Sequence, residues 1–467
     1  MGQNFYPDQI DQTLLFPPSL HDWLPDGHLA RFLADVVAAL DLSPIYKAYQ
    51  EKDGRGQAAY APEMMVRLLL YGYATGVYSS RKIQTRSYED IAFRYLSGDQ
   101  HPDHATIAEF RKRHLSALSG LFMQALLLCA EAGLVKLGHV SIDGTKIKAS
   151  ASKHKAMSYK RMNETEARLK QEIDALLAAA EKTDAEEDAL HGKDRHGDEL
   201  PDELQRRESR LRKIREAKAA LEKDAKEKAA QKASEVEQKL TERKEEEERT
   251  GKKKRGRKPK APEPDQVVPD DAAQRNFTDP ESRIMPDGAN KGSFVQAYNA
   301  QIAVDSTSQV IVAAEITQEA NDKKQLLPML AQVKENLGQM PEKVSADTGY
   351  FSEANVSDDA VSDIDLYVAT SRNKHGDMSE AICAVPPTPE ATAKETMQAK
   401  LRTEAGRDVY KMRKAIVEPV FGQIKEVRGF RRFSLRGQQN VRHEWRLVCA
   451  VNNLLKLFRS GWALETA

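Results

Sequence analysis

Cysteine is scarce: three residues, Cys129, Cys383 and Cys449, are spread over 467 positions. They form no CxxC pair and no Cys/His spacing of the kind that holds zinc, so neither a disulfide framework nor a structural zinc is expected. That usage suits a reducing compartment. No run of about 18 apolar residues occurs, and the opening MGQNFYPDQI lacks the apolar stretch of a signal peptide. The sequence therefore reads as that of a soluble, cytoplasmic protein. Aromatic residues are few, at 6%, and net charge is absent, with 71 basic and 71 acidic side chains. Overall charge thus says nothing about a polyanionic partner; only local charge can. What is abundant is charge of both signs: 30% of residues are charged and 40% hydrophobic. The apolar share suffices for buried cores in two or three domains, and the excess charge has to lie in a special segment.

Residues 1–130 read as helices. Asp26 is a candidate cap for a helix whose stripe is Leu29, Phe32, Leu33, Val36, Val37 and Leu40. Pro62 begins another before Met64, Met65, Leu68, Leu69 and Tyr71. Tyr88 to Leu96 reads as a third, and Asp103 precedes the stretch ATIAEFRKRH. A small helical bundle accounts for these stripes. Its basic faces, Arg81, Lys82 and Arg86 on one side and Arg111, Lys112 and Arg113 on another, are either solvated surface or DNA contacts. Residues 138–150, GHVSIDGTKIKAS, change period: Val140 and Ile142 alternate with polar neighbours, and Ile147 follows a glycine. A strand hairpin carrying Asp143 is expected there.

Residues 155–265 are a different material. Met162, Leu169 and Leu176 recur every seven residues, as do Ile173 and Ala180. After the polar break HGKDRHGDELP the pattern resumes with Leu204, Leu211, Ile214 and Leu221, separated mostly by Glu, Lys and Arg. This is the pattern of a helical hairpin or coiled coil with charged flanks. His191 and His196 in the break lack paired ligand spacing and read as solvated turn residues. The segment ends in KKKRGRKPK, residues 252–260, with seven basic side chains of nine, and then in the Pro-rich APEPDQVVP. Its core of Arg255 and Arg257 about a glycine resembles an AT-hook, which lies in the narrow minor groove of A·T-rich DNA, although Lys258 intervenes before Pro259. The other reading is a flexible basic linker for any phosphate backbone.

From Asn276 the chain reads as globular. Phe294–Val304 and Gln309–Ile316 are expected strands. Asn321 opens a helix through Leu326, Leu327, Leu330 and Val333, with Pro328 shifting or kinking its start. Lys343–Asp347 is a short strand ending in an acid, and Ile364–Ala369 is another. A loop with Pro386, Pro387 and Pro389, a helical stretch from Glu395 to Ile424 and a basic helical tail to Leu457 complete the chain. In this order the coil is an insertion after the first strand. The order matches an α/β ribonuclease H-like fold, a mixed sheet flanked by helices. Carboxylates on the first strand, at the end of the fourth and on a late helix converge in that fold. Here those places hold Asp143, Asp347 and Glu418.

The chemistry needs such a set. Cleaving a phosphodiester requires an in-line nucleophile and stabilisation of charge on the attacking and leaving oxygens, which two metal ions roughly 3.5–4 Å apart provide. Mg²⁺ takes hard oxygen ligands, so carboxylates are expected. Taken singly, Asp143 and Asp347 read as turn residues beside glycines; the strand order and Glu418 together make them a candidate site.

The chain resembles the DDE transposases of bacterial insertion sequences, in the group whose third acid lies in a Tyr-Arg-Glu-Lys signature, and within it the eleven-eighty-two family. SIDGTKIKASAS is similar to the first-acid motif, VSADTGYFS to the second, and YKMRKAIVEPVFGQIK, with Tyr410, Glu418 and Lys425, to the third. NFTDPESRI and GSFVQAYNAQIAVD resemble further stretches, and APEMMVRLLLYGYATGVYSSRKI and HPDHATIAEFRKRH resemble the helical N-terminal domain. The resemblance covers essentially the whole chain. It implies a division into a helical DNA-binding domain, 1–130, a ribonuclease H-like catalytic domain, 136–154 and 276–460, and the coil with its basic linker, 155–265. It implies Mg²⁺ as cofactor, with Mn²⁺ tolerated, held by Asp143, Asp347 and Glu418. It further implies recognition of terminal inverted repeats in double-stranded DNA, nicking by water at the element's ends, attack of the freed 3′ hydroxyl on target DNA, and a homo-oligomer on DNA in the bacterial nucleoid. Tyr410 and Lys425 would contact phosphate. The family places Arg four residues before the third acid; here that position is Lys414 and Arg413 lies one further. Either Lys414 takes the role or Arg413 reaches in. Pro419 is expected to kink the helix or restart it at Glu418. Two other classes compete: a nuclease of the same fold that cuts without joining, and a non-catalytic DNA-bridging protein.

Overall fold

The computed structural model describes residues 19–50, 58–191, 202–251, 260–288, 290, 292–371 and 391–462. The basic run at 252–259, with Arg255 and Arg257, lies outside the described residues, as do His196, Cys383 and the three prolines at 386, 387 and 389.

The N-terminal part is helical: α1 (Leu29–Ala39), α2 (Ser43–Gln50), α3 (Pro62–Ala74), α4 (Ser80–Glu89), α5 (Ile91–Ser97), α6 (His104–Arg113) and α7 (Leu115–Glu131). The cap of α1 is His28, whose Nδ1 accepts from the Ala30 amide at 3.1 Å. Asp26, expected in that role, sits too far ahead of the first turn to reach it, and pairs with Arg31 at 2.8 Å. Pro62 stands at the start of α3, where its missing N–H costs nothing. The helix expected over Tyr88–Leu96 is two helices, because the Asp90 carboxylate ends α4 and caps α5, accepting from Ala92 and Phe93 at 2.9 and 3.3 Å. Asp103 caps α6.

The sheet is built from β1 (His139–Lys148), β4 (Arg283–Pro286), β5 (Phe294–Asp305), β6 (Ile311–Thr317), β7 (Lys343–Ala346) and β8 (Asp365–Val368). Across it the order is β8-β7-β1-β5, with β4 and β6 both on the far edge of β5. β1 runs parallel to β7 and antiparallel to β5. The expected hairpin at 138–150 is instead one continuous ten-residue strand. Gly144 is no turn there: it pairs with Gln301 in mid-ladder, and a Cβ on it would lie 2.2 Å from Gln301 Nε2. The glycine is needed for close approach.

Two further strands, β2 (Ala156–Ser158) and β3 (Gln274–Asn276), pair antiparallel and bring the two ends of the inserted segment side by side. Between them run α8 (Tyr159–His191) and α9 (Asp202–Thr250). Tyr159 bonds Glu222, Glu166 pairs with Arg215, and Glu172 with Arg207, so the helices are antiparallel. Their seam buries Met162, Leu169, Ile173, Leu204, Leu211, Ile214 and Leu221, a cluster separate from the main core.

The remaining helices are α10 (Leu326–Leu337), α11 (Glu353–Val356), α12 (Ala393–Arg402), α13 (Glu404–Gly422) and α14 (Gln438–Arg459). Pro328 falls in the first turn of α10 and is tolerated there. The helical stretch expected from Glu395 breaks at Thr403, whose hydroxyl caps α13 through the Gly406 amide at 3.0 Å. α13 passes straight through Pro419 and continues into a π-helical turn, Gln423–Val427. Proline at 419 leaves the carbonyl four residues back without its helical donor. That carbonyl, of Ala415, instead accepts from Gln309 Nε2 at 2.8 Å. Gln309 holds a left-handed backbone, φ 58°, in the β5–β6 turn, and Lys456 anchors its amide oxygen at 2.7 Å.

Helix α13 lies across β1, β5, β7 and β8, and α14 packs on α7 and β6. One buried cluster runs from Leu33 and Leu69 through Ile142 and Val304 to Trp445 and Leu454, so N-terminal helices and sheet share a core. Among the described residues no single helix is long and apolar enough to cross a membrane; the bent pair α6–α7 is apolar because it lines this core.

Candidate active site

Strand register brings the first two acids together. In the parallel β1–β7 pair Ile142 stands opposite Ala346. The next residues are Asp143 and Asp347, on neighbouring chains whose spacing is about 4.8 Å. Asp347 follows the last residue of β7 and caps a short 3-10 turn, its Oδ1 accepting from Gly349 N at 2.8 Å.

Strand alternation then sorts the partners. Thr145 shares a face of β1 with Asp143, and α13 covers it. Arg413 Nη1 reaches Asp143 Oδ2 at 3.2 Å, and Lys425 Nζ donates to Thr145 Oγ1 at 2.9 Å. The Arg413 guanidinium lies 5.8 Å from the centre of the Tyr410 ring. Of the two candidates for the signature arginine, Arg413 is buried against the acids and Lys414 is exposed. On the opposite face, Gly144 and Lys146 meet Gln301 and Asn299 of β5 across the ladder. There the Asp322 carboxylate, just before α10, receives Asn299 Nδ2 and Gln301 Nε2, each at 2.7 Å, with Lys146 Nζ at 3.8 Å.

Burial pushes the Asp143 carboxyl up to about 6; Arg413 opposes this and the nearby charges of Asp347 and Asp322 add to it. Burial works against the Arg413 charge, but Asp143, Tyr410, Asp347 and Glu418 outweigh it and leave its pKa raised. Burial lowers Lys146, with Asp322, Asp347 and Asp143 pulling the other way. Burial likewise lowers Lys425. The centre is thus a half-buried carboxylate pair with one guanidinium set against Asp143.

Glu418 is exposed on α13, within electrostatic reach of Arg413. Among the described residues, no three His, Cys, Asp or Glu side chains are drawn close enough to hold an ion between them. The donor chemistry nevertheless suits a hard divalent cation: Asp143 and Asp347 offer carboxylate oxygens, and a positive charge, Arg413, already lies against Asp143.

The basic faces of the N-terminal helices divide. Arg81, Lys82 and Arg86 are exposed on α4, and Arg113 is exposed beside Glu109 at 3.1 Å. Arg111 turns inward: 8% exposed, it donates to the Tyr78 carbonyl at 2.8 Å and the Ser80 hydroxyl at 3.4 Å. Its guanidinium holds the α3–α4 connection and is not presented to a phosphate. Asp322, Lys146, Asn299 and Gln301 are absent from the sequence-derived site. The available signal was the polar pair Asn299 and Gln301, two residues apart and so on one face of a strand otherwise apolar enough for burial on both sides.

Two family models match the chain. Residues 18–113 match a Transposase domain (DUF772), spanning α1 to α6, and residues 381–458 match a Transposase DDE domain, spanning α12 to nearly the end of α14. The second match contains Tyr410, Arg413, Glu418 and Lys425; Asp143 and Asp347 lie outside both. No curated protein and no solved structure matches. A transposase domain at one end, a DDE transposase domain at the other and a mixed α/β architecture between them make this a DNA transposase, an enzyme that cuts DNA and transfers strands.

Proposed function

We propose that the sheet and its helices form a ribonuclease H-like catalytic domain, 136–154 with 276–460, in which Asp143, Asp347 and Glu418 hold two Mg²⁺ ions, Mn²⁺ serving as a substitute. The observation that supports it most is the β1–β7 register, which sets Asp143 beside Asp347 under the helix that carries Glu418. Bound metal would supply charge for the attacking and leaving oxygens of a phosphodiester. The chain's own groups then have separate tasks. Arg413 keeps Asp143 ionised. Tyr410, Lys425 and the exposed Lys414 contact phosphate at the rim. Arg81 and Arg113 of the helical domain, 1–130, and Arg255 and Arg257 of the basic linker within the 155–265 insertion, contribute charge along the duplex. The substrates are the terminal inverted repeats of an insertion sequence of the eleven-eighty-two kind, joined to target DNA by a homo-oligomer that bridges two ends in the bacterial nucleoid. The long helices supply a coiled-coil arm.

The test is replacement of each acid by its amide, which keeps shape and removes a negative metal ligand. Loss of a group that merely supports a ligand costs about 10–100-fold, and loss of a ligand itself should cost more. Asp143→Asn, Asp347→Asn and Glu418→Gln should bind terminal DNA normally and fail to cut it with either ion. The exposed Asp363 serves as control. Cutting by Asp143→Asn or Asp347→Asn at the unmodified rate would end the two-metal reading; cutting by Glu418→Gln alone would reassign the third ligand. Joining of pre-cut ends separates a transposase from a nuclease of the same fold.

A further inference from the structure

Asp322 lies behind the acid pair in a network that the proposed metal ligands do not use. Its Oδ1 accepts from two fully buried amides, Asn299 Nδ2 and Gln301 Nε2, at 2.7 Å each. Lys146 of β1 stands 3.8 Å away. The Oε1 of Gln301 accepts from the hydroxyl of fully buried Tyr350, which ends the turn that Asp347 caps. The backbone at that end of the turn is fixed too: Asn355 Nδ2 donates to the Tyr350 carbonyl at 2.8 Å.

Space is as constrained as hydrogen bonding. A Cβ on Gly144, the residue after Asp143, would lie 2.9 Å from Asp322 Oδ1, and one on Gly349, two after Asp347, 3.2 Å from Asp322 Oδ2. The carboxylate is therefore wedged between the two backbone segments that carry the acids, and both segments have glycine where they touch it. Two amide donors converge on a single oxygen, so Asp322 Oδ1 is arranged as an acceptor of protein hydrogen bonds.

We propose that Asp322 is a positioning residue: through Gln301 and Tyr350 on one side and Gly144 and Lys146 on the other, it fixes the spacing of Asp143 and Asp347. The proposal rests on the reading of those two acids as metal ligands. A wedge of this kind sets how well two ions are held, and leaves the DNA-contacting surface unaffected.

The experiment compares Asp322→Asn with the double exchange Asp322→Asn, Gln301→Glu, in which amide and carboxylate swap places and the hydrogen bond between positions 301 and 322 is restored in reverse, while the bond from Asn299 to the same oxygen is not. Full-length protein is used, with terminal DNA and Mn²⁺ or Mg²⁺ titrated in single-turnover cutting. Asp322→Asn should cut about 10–100-fold more slowly, the scale expected when support for metal ligands is lost. Its metal half-saturation should rise while affinity for terminal DNA stays within about twofold. The exchange should recover much of the rate, which a general loss of stability would not allow. Cutting by Asp322→Asn at the unmodified rate and metal dependence overturns the proposal; a slow variant that the exchange leaves slow is decided by Tyr350→Phe. If Asp322→Asn loses its cooperative thermal transition, Tyr350→Phe replaces it, removing one hydroxyl of the same chain: slower cutting supports the proposal and unchanged cutting overturns it. Asp143→Asn is run alongside. Its cutting at full rate would remove the metal-ligand reading itself, whereas an inactive Asp143→Asn with a normal Asp322→Asn removes the positioning role alone.

Discussion

Arg413 and Lys414 are adjacent in sequence and opposite in situation. The Arg413 side chain is 10% exposed and faces an Asp143 carboxylate that burial and two neighbouring acids push toward neutrality. A hydrogen bond to a charged group contributes about 1.5–3 kcal/mol, and removing one partner leaves the other's desolvation uncompensated. Arg413→Met should therefore lower stability by about that amount in denaturant unfolding and stop cutting. Lys414 is exposed, and exposed sites usually change stability by less than about 0.5 kcal/mol. Lys414→Ala should leave the unfolding midpoint alone, weaken DNA binding and flatten its salt dependence by about one charge. A large stability loss in Lys414→Ala, or none in Arg413→Met, would reverse the assignment of the inward arginine.

At the scale of elements, Pro419 shows how a rule can hold while its expected consequence does not. The proline does remove a helical hydrogen bond, but α13 neither ends nor restarts there, because a side chain from the β5–β6 turn supplies the donor. That donor is 106 residues away in sequence, so no local pattern could show it. If Gln309 serves this purpose, its value depends on the proline. Gln309→Ala should destabilise by about 0.5–1.5 kcal/mol, the usual net worth of one hydrogen bond. In a Pro419→Ala background, where the helix has its own donor again, the same change should cost measurably less. Equal costs in both backgrounds would mean that the contact is incidental. Local and long-range signals divide the same way elsewhere. Asp143 and Asp347 were legible because each ends or interrupts a short apolar alternation, and parallel pairing of those strands does the rest. Gly144 read as a turn because an Asp-Gly pair is usually one; its true constraint is a Gln301 side chain on another strand. Asp322, next to the Asn321 expected to open a helix, drew no reading, since an acid ahead of an apolar stripe carries no mark of the amides that converge on it. Arg111 looked like one more member of a basic face, and only packing shows that it points inward.

For the whole molecule, the question is which parts fold alone. The N-terminal helices do not have a core of their own. Phe32 packs against Phe458 with ring centres 5.3 Å apart, Tyr78 against Phe430 at 5.1 Å, and a Cβ on Gly76 would lie 2.7 Å from the Arg428 carbonyl. Cutting the chain near residue 130 would expose the α7 face that now meets α14. The inserted hairpin is the opposite case. Its apolar seam forms a separate cluster, and its two ends are joined by β2–β3 pairing, with Ala156 opposite Asn276 and Ser158 opposite Gln274. Neighbouring antiparallel strands are about 4.8 Å apart, so a two-residue turn such as Asn-Gly can close the gap between Ser158 and Gln274. Among the described residues the contacts forfeited are few: chiefly the Arg275–Asp224 and Arg283–Asp224 pairs, at 3.1 and 3.7 Å, and the packing of Met157 and Phe277 on the seam. Partly exposed ion pairs of this kind contribute about 0–1 kcal/mol each. A chain lacking residues 159–273 and closed by that turn should unfold in one cooperative step. Its denaturant slope should be smaller, in proportion to the surface removed, and it should cut terminal DNA in the presence of Mg²⁺ or Mn²⁺. The basic run at 252–259 goes with the deletion, so binding should weaken most at low salt and the salt dependence should flatten. Loss of the cooperative transition would show that the hairpin is part of the catalytic fold. Cooperative folding with binding unchanged at every salt concentration would remove the linker from the DNA contacts.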